Sequence, residues 1–134
     1  MDAAADSAAV RELWPLLWVT SIERSIAFYC DQLGFSMVGE AKTDGRTYWC
    51  RLQRGGASLM LQQAEAEDVH AVGRGRGVAF YFVCDDADAV YAELTARGLE
   101  LAPPTTACYG MRQLFVPEPD GFEICFESPT DATA

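Results

Sequence analysis

Trp14-Pro15-Leu16-Leu17-Trp18-Val19-Thr20-Ser21-Ile22-Glu23-Arg24-Ser25-Ile26-Ala27-Phe28-Tyr29-Cys30-Asp31-Gln32-Leu33-Gly34 is the stretch that decides the fold. Its first seven residues form an apolar run of strand length and strand composition. Ser21 then has the chemistry of a helix N-cap. After it Ile22, Ile26, Tyr29 and Leu33 recur at steps of four, three and four, the apolar stripe of an amphipathic helix. Gly34 ends that helix as a C-terminal cap.

Working outward, three strand-like segments follow at 35–42, 47–53 and 57–62. The first two are joined through Thr43-Asp44-Gly45, and Asp-Gly is a strong hairpin signal. Arg54-Gly55-Gly56 makes the next turn. A polar crossover spans 63–77, and the same order begins again. Residues 78–84 read as a continuous apolar strand, and Asp85 or Asp86 caps a helix. That helix carries the stripe Ala87, Val90, Tyr91 and Leu94, and Gly98 stops it. Strands are expected at 99–102, 109–116 and 122–127, the last after the turn Glu118-Pro119-Asp120-Gly121.

The two halves superimpose on paper. Ile22 aligns with Ala87, Ile26 with Tyr91 and Tyr29 with Leu94, each at an offset of 65, and the final strands align at 64. A near-constant offset across half a chain indicates internal duplication. The expected class is α+β, with two βαβββ modules whose curved mixed sheets enclose a central cleft. One helix per module leaves one sheet face uncovered, so the modules of one chain or of two must close around something. A homodimer follows as an expectation. The expected layout is a polar lead-in at 1–13, one domain at 14–128 with modules at 14–63 and 77–128, and a tail at 129–134.

Composition narrows the function. The chain has 134 residues, half of them hydrophobic, and a net charge of −10 from 20 acidic and 10 basic side chains. That surface repels a phosphate backbone, so nucleic acid is not an expected partner, nor is an anionic membrane. No apolar run approaches the roughly 20 residues of a membrane span. The N-terminal residues lack the pattern of a secretion signal. Five cysteines at spacings of 20, 34, 24 and 17 form no CxxC pair and fit no zinc pattern. Most sit in or beside apolar runs, where a free Cys acts as a small hydrophobe, and a reduced cytoplasmic compartment is the expectation that follows.

The segment 18–35, with its Trp18-Val19-Thr20-Ser21-Ile22-Glu23 opening and Leu33-Gly34-Phe35 close, resembles the start of the vicinal oxygen chelate superfamily. Residues 82–91 resemble the strand and helix of its second module. Glu118-Pro119-Asp120-Gly121 is similar to that group's closing Asp-Pro-Asp-Gly turn, with Glu118 in place of the first Asp. The superfamily comprises glyoxalase I, extradiol dioxygenases, fosfomycin-resistance enzymes and bleomycin-resistance proteins. The resemblance implies, for its enzymes, a divalent metal held inside the sheets. Carried over by spacing, the three ligand positions fall at Trp14, Ala79 and Cys125, none of them suited to a hard octahedral site. His70, the one histidine, lies in the crossover. The resemblance therefore points to the metal-free, bleomycin-resistance-type binders, with no metal, cofactor or catalytic residue expected.

Strand alternation assigns the faces. Leu17, Val19, Leu59, Leu61, Phe80, Phe82, Ile124 and Phe126 are expected in the core. The cleft is expected to receive Trp14, Leu16, Trp18, Ser58, Met60, Gln62, Ala79, Tyr81, Val83, Glu123, Cys125 and Glu127. Trp49, Arg51, Tyr109, Met111 and Phe115 complete an aromatic wall in which Arg51, Gln62 and Glu123 are the polar anchors. Such a wall suits a flat apolar or heteroaromatic small molecule. The expected function is sequestration of a natural-product antibiotic, giving resistance. The alternatives are an enzyme of the superfamily with an unorthodox or absent metal site, and a carrier in a biosynthetic pathway. Gly73-Arg74-Gly75-Arg76-Gly77 precedes a strand rather than a helix and so is no dinucleotide loop. Glu65-Ala66-Glu67-Asp68 reads as a solvated loop.

Overall fold

The structure, a computed structural model, describes residues 7–68 and 77–130. The first module runs β1 (Leu16–Val19), α1 (Ile22–Ile26), a π-helical continuation (Ala27–Gln32), β2 (Ser36–Thr43), β3 (Arg46–Arg54) and β4 (Ala57–Gln63). The second runs β5 (Ala79–Val83), α2 (Ala87–Ala96), β6 (Thr105–Thr106), β7 (Met111–Val116) and β8 (Glu123–Pro129). Their sheets have the orders β1-β4-β3-β2 and β5-β8-β7-β6. In each, the first strand lies parallel to the last and the other pairs are antiparallel. This is the expected α+β fold, a βαβββ unit used twice.

Local chemistry accounts for the boundaries. Ser21 Oγ accepts from the Arg24 N–H (3.3 Å), and Asp86 Oδ1 from the N–H groups of Asp88 and Ala89, so both caps act as their residue types require. α1 then widens into π turns, with the Leu33 N–H reaching the Phe28 carbonyl at 3.0 Å. Asp44 and Gly45 both have positive φ, 51° and 76°, as a two-residue hairpin of primed type demands. Two expected strands are corrected. Residues 99–102 pair with nothing, and the edge strand is only Thr105–Thr106, because Pro103 and Pro104 have no N–H to give a ladder. β7 begins at Met111, after a turn that contains Tyr109.

Alternation held in β1, β4, β5 and β8. Leu17, Val19, Leu59 and Leu61 are buried with Ile22, Tyr29 and Leu33 of the helix above them. Leu114, Val116, Ile124 and Phe126 are buried with Val90 and Leu94, and both groups belong to one continuous core. Phe80 and Phe82 are half-buried at its margin rather than inside it. The Phe82 ring lies 5.6 Å from Phe35 of the first module and 5.2 Å from Phe126. Among the described residues, no β-ladder joins the sheets; the modules meet through helices and hairpin tips.

The polar part of that seam comes from the turn before β8. Glu118 accepts from the N–H groups of Asp120 (2.7 Å) and Phe122 (3.2 Å), and from the Tyr29 hydroxyl of the first module (2.9 Å). Asp120 accepts from Thr20 Oγ1 (2.7 Å) and pairs with Arg24 at 3.2 Å. On the other side Arg54 bonds Glu93 of α2 (2.9 Å) and the Leu33 carbonyl (2.7 Å). Each module's hairpin tip thus grips the other module's helix region.

His70, residues 73–76 of the glycine-arginine stretch, residues 1–6 of the lead-in and residues 131–134 of the tail lie outside the described residues. Ala66–Asp68 is a single 3₁₀ turn. Among the described residues, no helix is long and apolar enough to cross a membrane.

Burial raises the Glu118 carboxyl above its usual value of 4.5, against the pull of its three donors. The folded chain therefore holds that proton more tightly than the unfolded one. The group's contribution to stability is complete below the unfolded value and is lost as pH rises through the folded value. Glu118→Gln, which cannot ionise, lacks that loss. Melts at about pH 4, 5.5 and 7 should show the variant's stability relative to wild type increasing with pH; a constant difference would remove Glu118 from the pH dependence.

Candidate functional site

The face of the first sheet away from α1 is built in rows. In one row β1, β4 and β3 align Trp18 with Gln62 and Gln62 with Trp49. In the next, Leu16, Met60 and Arg51 align, followed by Gly39 of β2. The Trp49 ring lies against Gly39, where an added Cβ would stand 3.8 Å from two of its atoms. Trp14, just ahead of β1, has its ring centre 4.0 Å from the Arg51 guanidinium carbon. Such a cation–π contact is worth about 0.5–1 kcal/mol at a wet surface. Arg51 Nη1 also donates to Ser58 Oγ (3.0 Å) and Gln53 Oε1 (3.3 Å). The guanidinium is therefore held on three sides.

This face is open. Trp14, Leu16 and Trp18 expose 42%, 44% and 44% of their surface, far more than strand residues packed on a core. Trp14 and Met60, with Arg11 and Glu12, border a hollow of about 490 Å³. All eight residues expected on the first module's side, Trp14, Leu16, Trp18, Trp49, Arg51, Ser58, Met60 and Gln62, lie together here. Arg51 is the one charged side chain among these rows, and among the described residues it forms no ion pair.

The matching face of the second sheet aligns Tyr81 with Cys125 and Cys125 with Phe115. The next row is Val83, Glu127 and Gln113. Gln113 Nε2 donates to the Tyr109 hydroxyl (2.7 Å) and to Glu127 Oε1 (3.0 Å), which fixes Tyr109 beside the sheet. Tyr81, Tyr109 and Phe115 are exposed, and Glu123 lies at the head of β8 beside Ala79. Met111 is half-buried opposite Pro129.

Cys125 needs a correction. Alternation puts it on this face, yet it is fully buried between its larger register partners and offers no surface to a ligand. Burial, with Glu127 adding to it, pushes its thiol up to about 11. Glu127 was expected on this face; its partner Gln113 is the residue left out of the wall. Position 113 lies midway between Met111 and Phe115, so alternation alone would have found it.

The donor set does not fit the metal that the superfamily's enzymes hold. Trp14 offers an indole N–H already given to Glu12 (2.6 Å), Ala79 offers a methyl group and Cys125 a buried neutral thiol. Among the described residues, no three His, Cys, Asp or Glu side chains are grouped as a metal would need.

Among the described residues, no hydrogen bond or ring contact joins one inner face to the other. The inter-module cavity of about 470 Å³ takes Phe35 and Arg54 from the first module and Tyr81, Val83 and Cys84 from the second. Arg54 and Phe35 belong to the first sheet's core side, so this cavity is not the expected cleft.

No curated protein matches the chain. Solved structures do. A glyoxalase/bleomycin resistance protein/dioxygenase from Nocardioides is 21% identical, with 96% of this chain and 89% of that one covered at a TM-score of 0.68. TnmS3, an antibiotic binding protein from Streptomyces sp. CB03234, is 24% identical, with 91% and 98% covered at 0.69. A glyoxalase/bleomycin resistance protein from Catenulispora acidiphila is 22% identical, with 90% and 100% covered at 0.68. At these identities the likeness is one of fold. The family model matches residues 11–126, most of the chain, and this protein belongs to the glyoxalase/bleomycin resistance protein/dioxygenase superfamily.

Proposed function

We propose that this protein is a non-catalytic cytoplasmic binder that sequesters a flat, largely aromatic small molecule, of the kind natural-product antibiotics provide. The observation that carries this reading is the open row Trp18–Gln62–Trp49, flanked by Arg51 stacked on Trp14. Two indole rings separated by one amide offer area and stacking to a planar ligand, and the amide offers a polar contact between them. Among the described residues this face groups no metal-binding side chains and no nucleophile beside a base, which supports a reading of binding without turnover. That a protein of similar fold, TnmS3, is described as an antibiotic binding protein agrees with this reading.

The cleft is completed by a second copy. Each inner face leaves apolar and aromatic surface in water within one chain: Trp14, Leu16 and Trp18 on the first, Tyr81, Tyr109 and Phe115 on the second. A homodimer that lays one module's face over the other's would cover both and make two equivalent clefts. Sedimentation should give twice the chain mass at micromolar concentration; a monomer at every concentration would rule this arrangement out.

Binding is testable by tryptophan fluorescence with a planar polycyclic antibiotic, such as an anthracycline, as the probe. Quenching that saturates is expected. Trp18→Leu should weaken binding by on the order of 1 kcal/mol or more while leaving the melting temperature nearly unchanged, since the ring is not part of the core. Loss of several degrees of melting temperature with unaltered affinity would return Trp18 to a structural role.

A further inference from the structure

We propose that the ligand is a planar aromatic anion, a carboxylate or phenolate, and that Arg51 receives its negative group. This rests on the reading of the inner faces as the binding site and gives that site its ligand chemistry.

Of the arginines that the structure describes, Arg24, Arg46, Arg54, Arg97 and Arg112 pair with a carboxylate, while Arg11 and Arg51 have no such partner among the described residues, and of these two only Arg51 lies in a strand. In a chain with twice as many acidic as basic residues, an arginine with no acidic partner among the described residues is conspicuous. It is nevertheless fixed in place. The Trp14 ring at 4.0 Å supports the guanidinium, and Ser58 and Gln53 both bond to Nη1. Nε and Nη2 have no partner among the described residues. Nε with Nη2 is one edge of the guanidinium fork, the geometry that takes a carboxylate through two parallel hydrogen bonds. Neutral partners hold the side chain without neutralising it, which leaves the charge for something else.

The placement selects the rest of the ligand. Arg51 lies one row from Trp49 on the same face of β3, and Met60 lies across from it on β4. A ring stacked on the indoles therefore has the cation within reach of a substituent on its rim. The chain as a whole works against this outcome, because a net charge of −10 repels anions at long range. Preference for an anion must then come from a local cation, which makes the sign of the preference diagnostic.

The test compares 2-naphthoate with 2-naphthamide, equal in ring and nearly equal in shape, by calorimetry or competition with a fluorescent probe. Wild type should bind naphthoate more tightly by roughly tenfold or more. Arg51→Gln should abolish the difference between the two probes, and Arg51→Lys should retain part of it. Trp18→Leu should weaken both probes alike. Melting temperatures of the Arg51 variants guard against misfolding. Naphthamide binding as tightly as naphthoate to wild type, or a preference that survives in Arg51→Gln, overturns the assignment of Arg51 and leaves the aromatic site standing. Failure of both probes to bind, or binding indifferent to Trp18→Leu, overturns the site itself and this inference with it.

Discussion

A four-stranded sheet has two faces, and each βαβββ unit supplies one helix. That mismatch governs the molecule. The helix covers one face, where Leu17, Val19, Leu59 and Leu61 in one module and Leu114, Val116, Ile124 and Phe126 in the other make the core. The second face is left to whatever else the chain can find. Strand alternation gives that face every other residue, so its composition is free of the demands of the core. Here it is filled with Trp, Tyr, Phe and Met, the side chains that gain most from being covered. The open aromatic face is a direct consequence of having too few helices.

Packing two such modules requires a seam, and the seam uses charge sparingly. Glu118 is buried with three donors aimed at it, two from its own turn and one from Tyr29. A lone buried carboxylate would be costly; one that receives three hydrogen bonds is tolerable and makes the contact directional. Asp120 repeats the device against Thr20 and Arg24. The acidic turn that marks this superfamily is, in this chain, a structural clasp between modules.

Much of this was legible beforehand because it depends on periodicity. Ile22, Tyr29 and Leu33 at helical steps, the Asp44-Gly45 turn and the constant offset between halves each report local backbone geometry, which neighbouring residues dictate. The inner-face residues of the first module were legible for the same reason: once Leu17 and Leu61 are core, Trp18 and Gln62 must point the other way. What failed was of another kind. The strand expected at 99–102 had suitable residues but no partner, since pairing is set by the neighbouring strand and by the two prolines that follow. Cys125 was assigned the correct face and the wrong exposure, because burial depends on the sizes of Tyr81 and Phe115 beside it.

The sequence by itself determined the modules, their order and the helix-covered faces, all of which follow from residue type and spacing. Only the tertiary structure decided which side chains meet across strands and between modules. Tyr29 finding Glu118 across 89 residues, Arg51 settling on Trp14 and Gln113 tying Tyr109 to Glu127 are contacts at sequence separations, or in side-chain orientations, that no local pattern encodes. Their partners are chosen by how the sheets are placed once the core has closed, and that closure is a property of the whole chain.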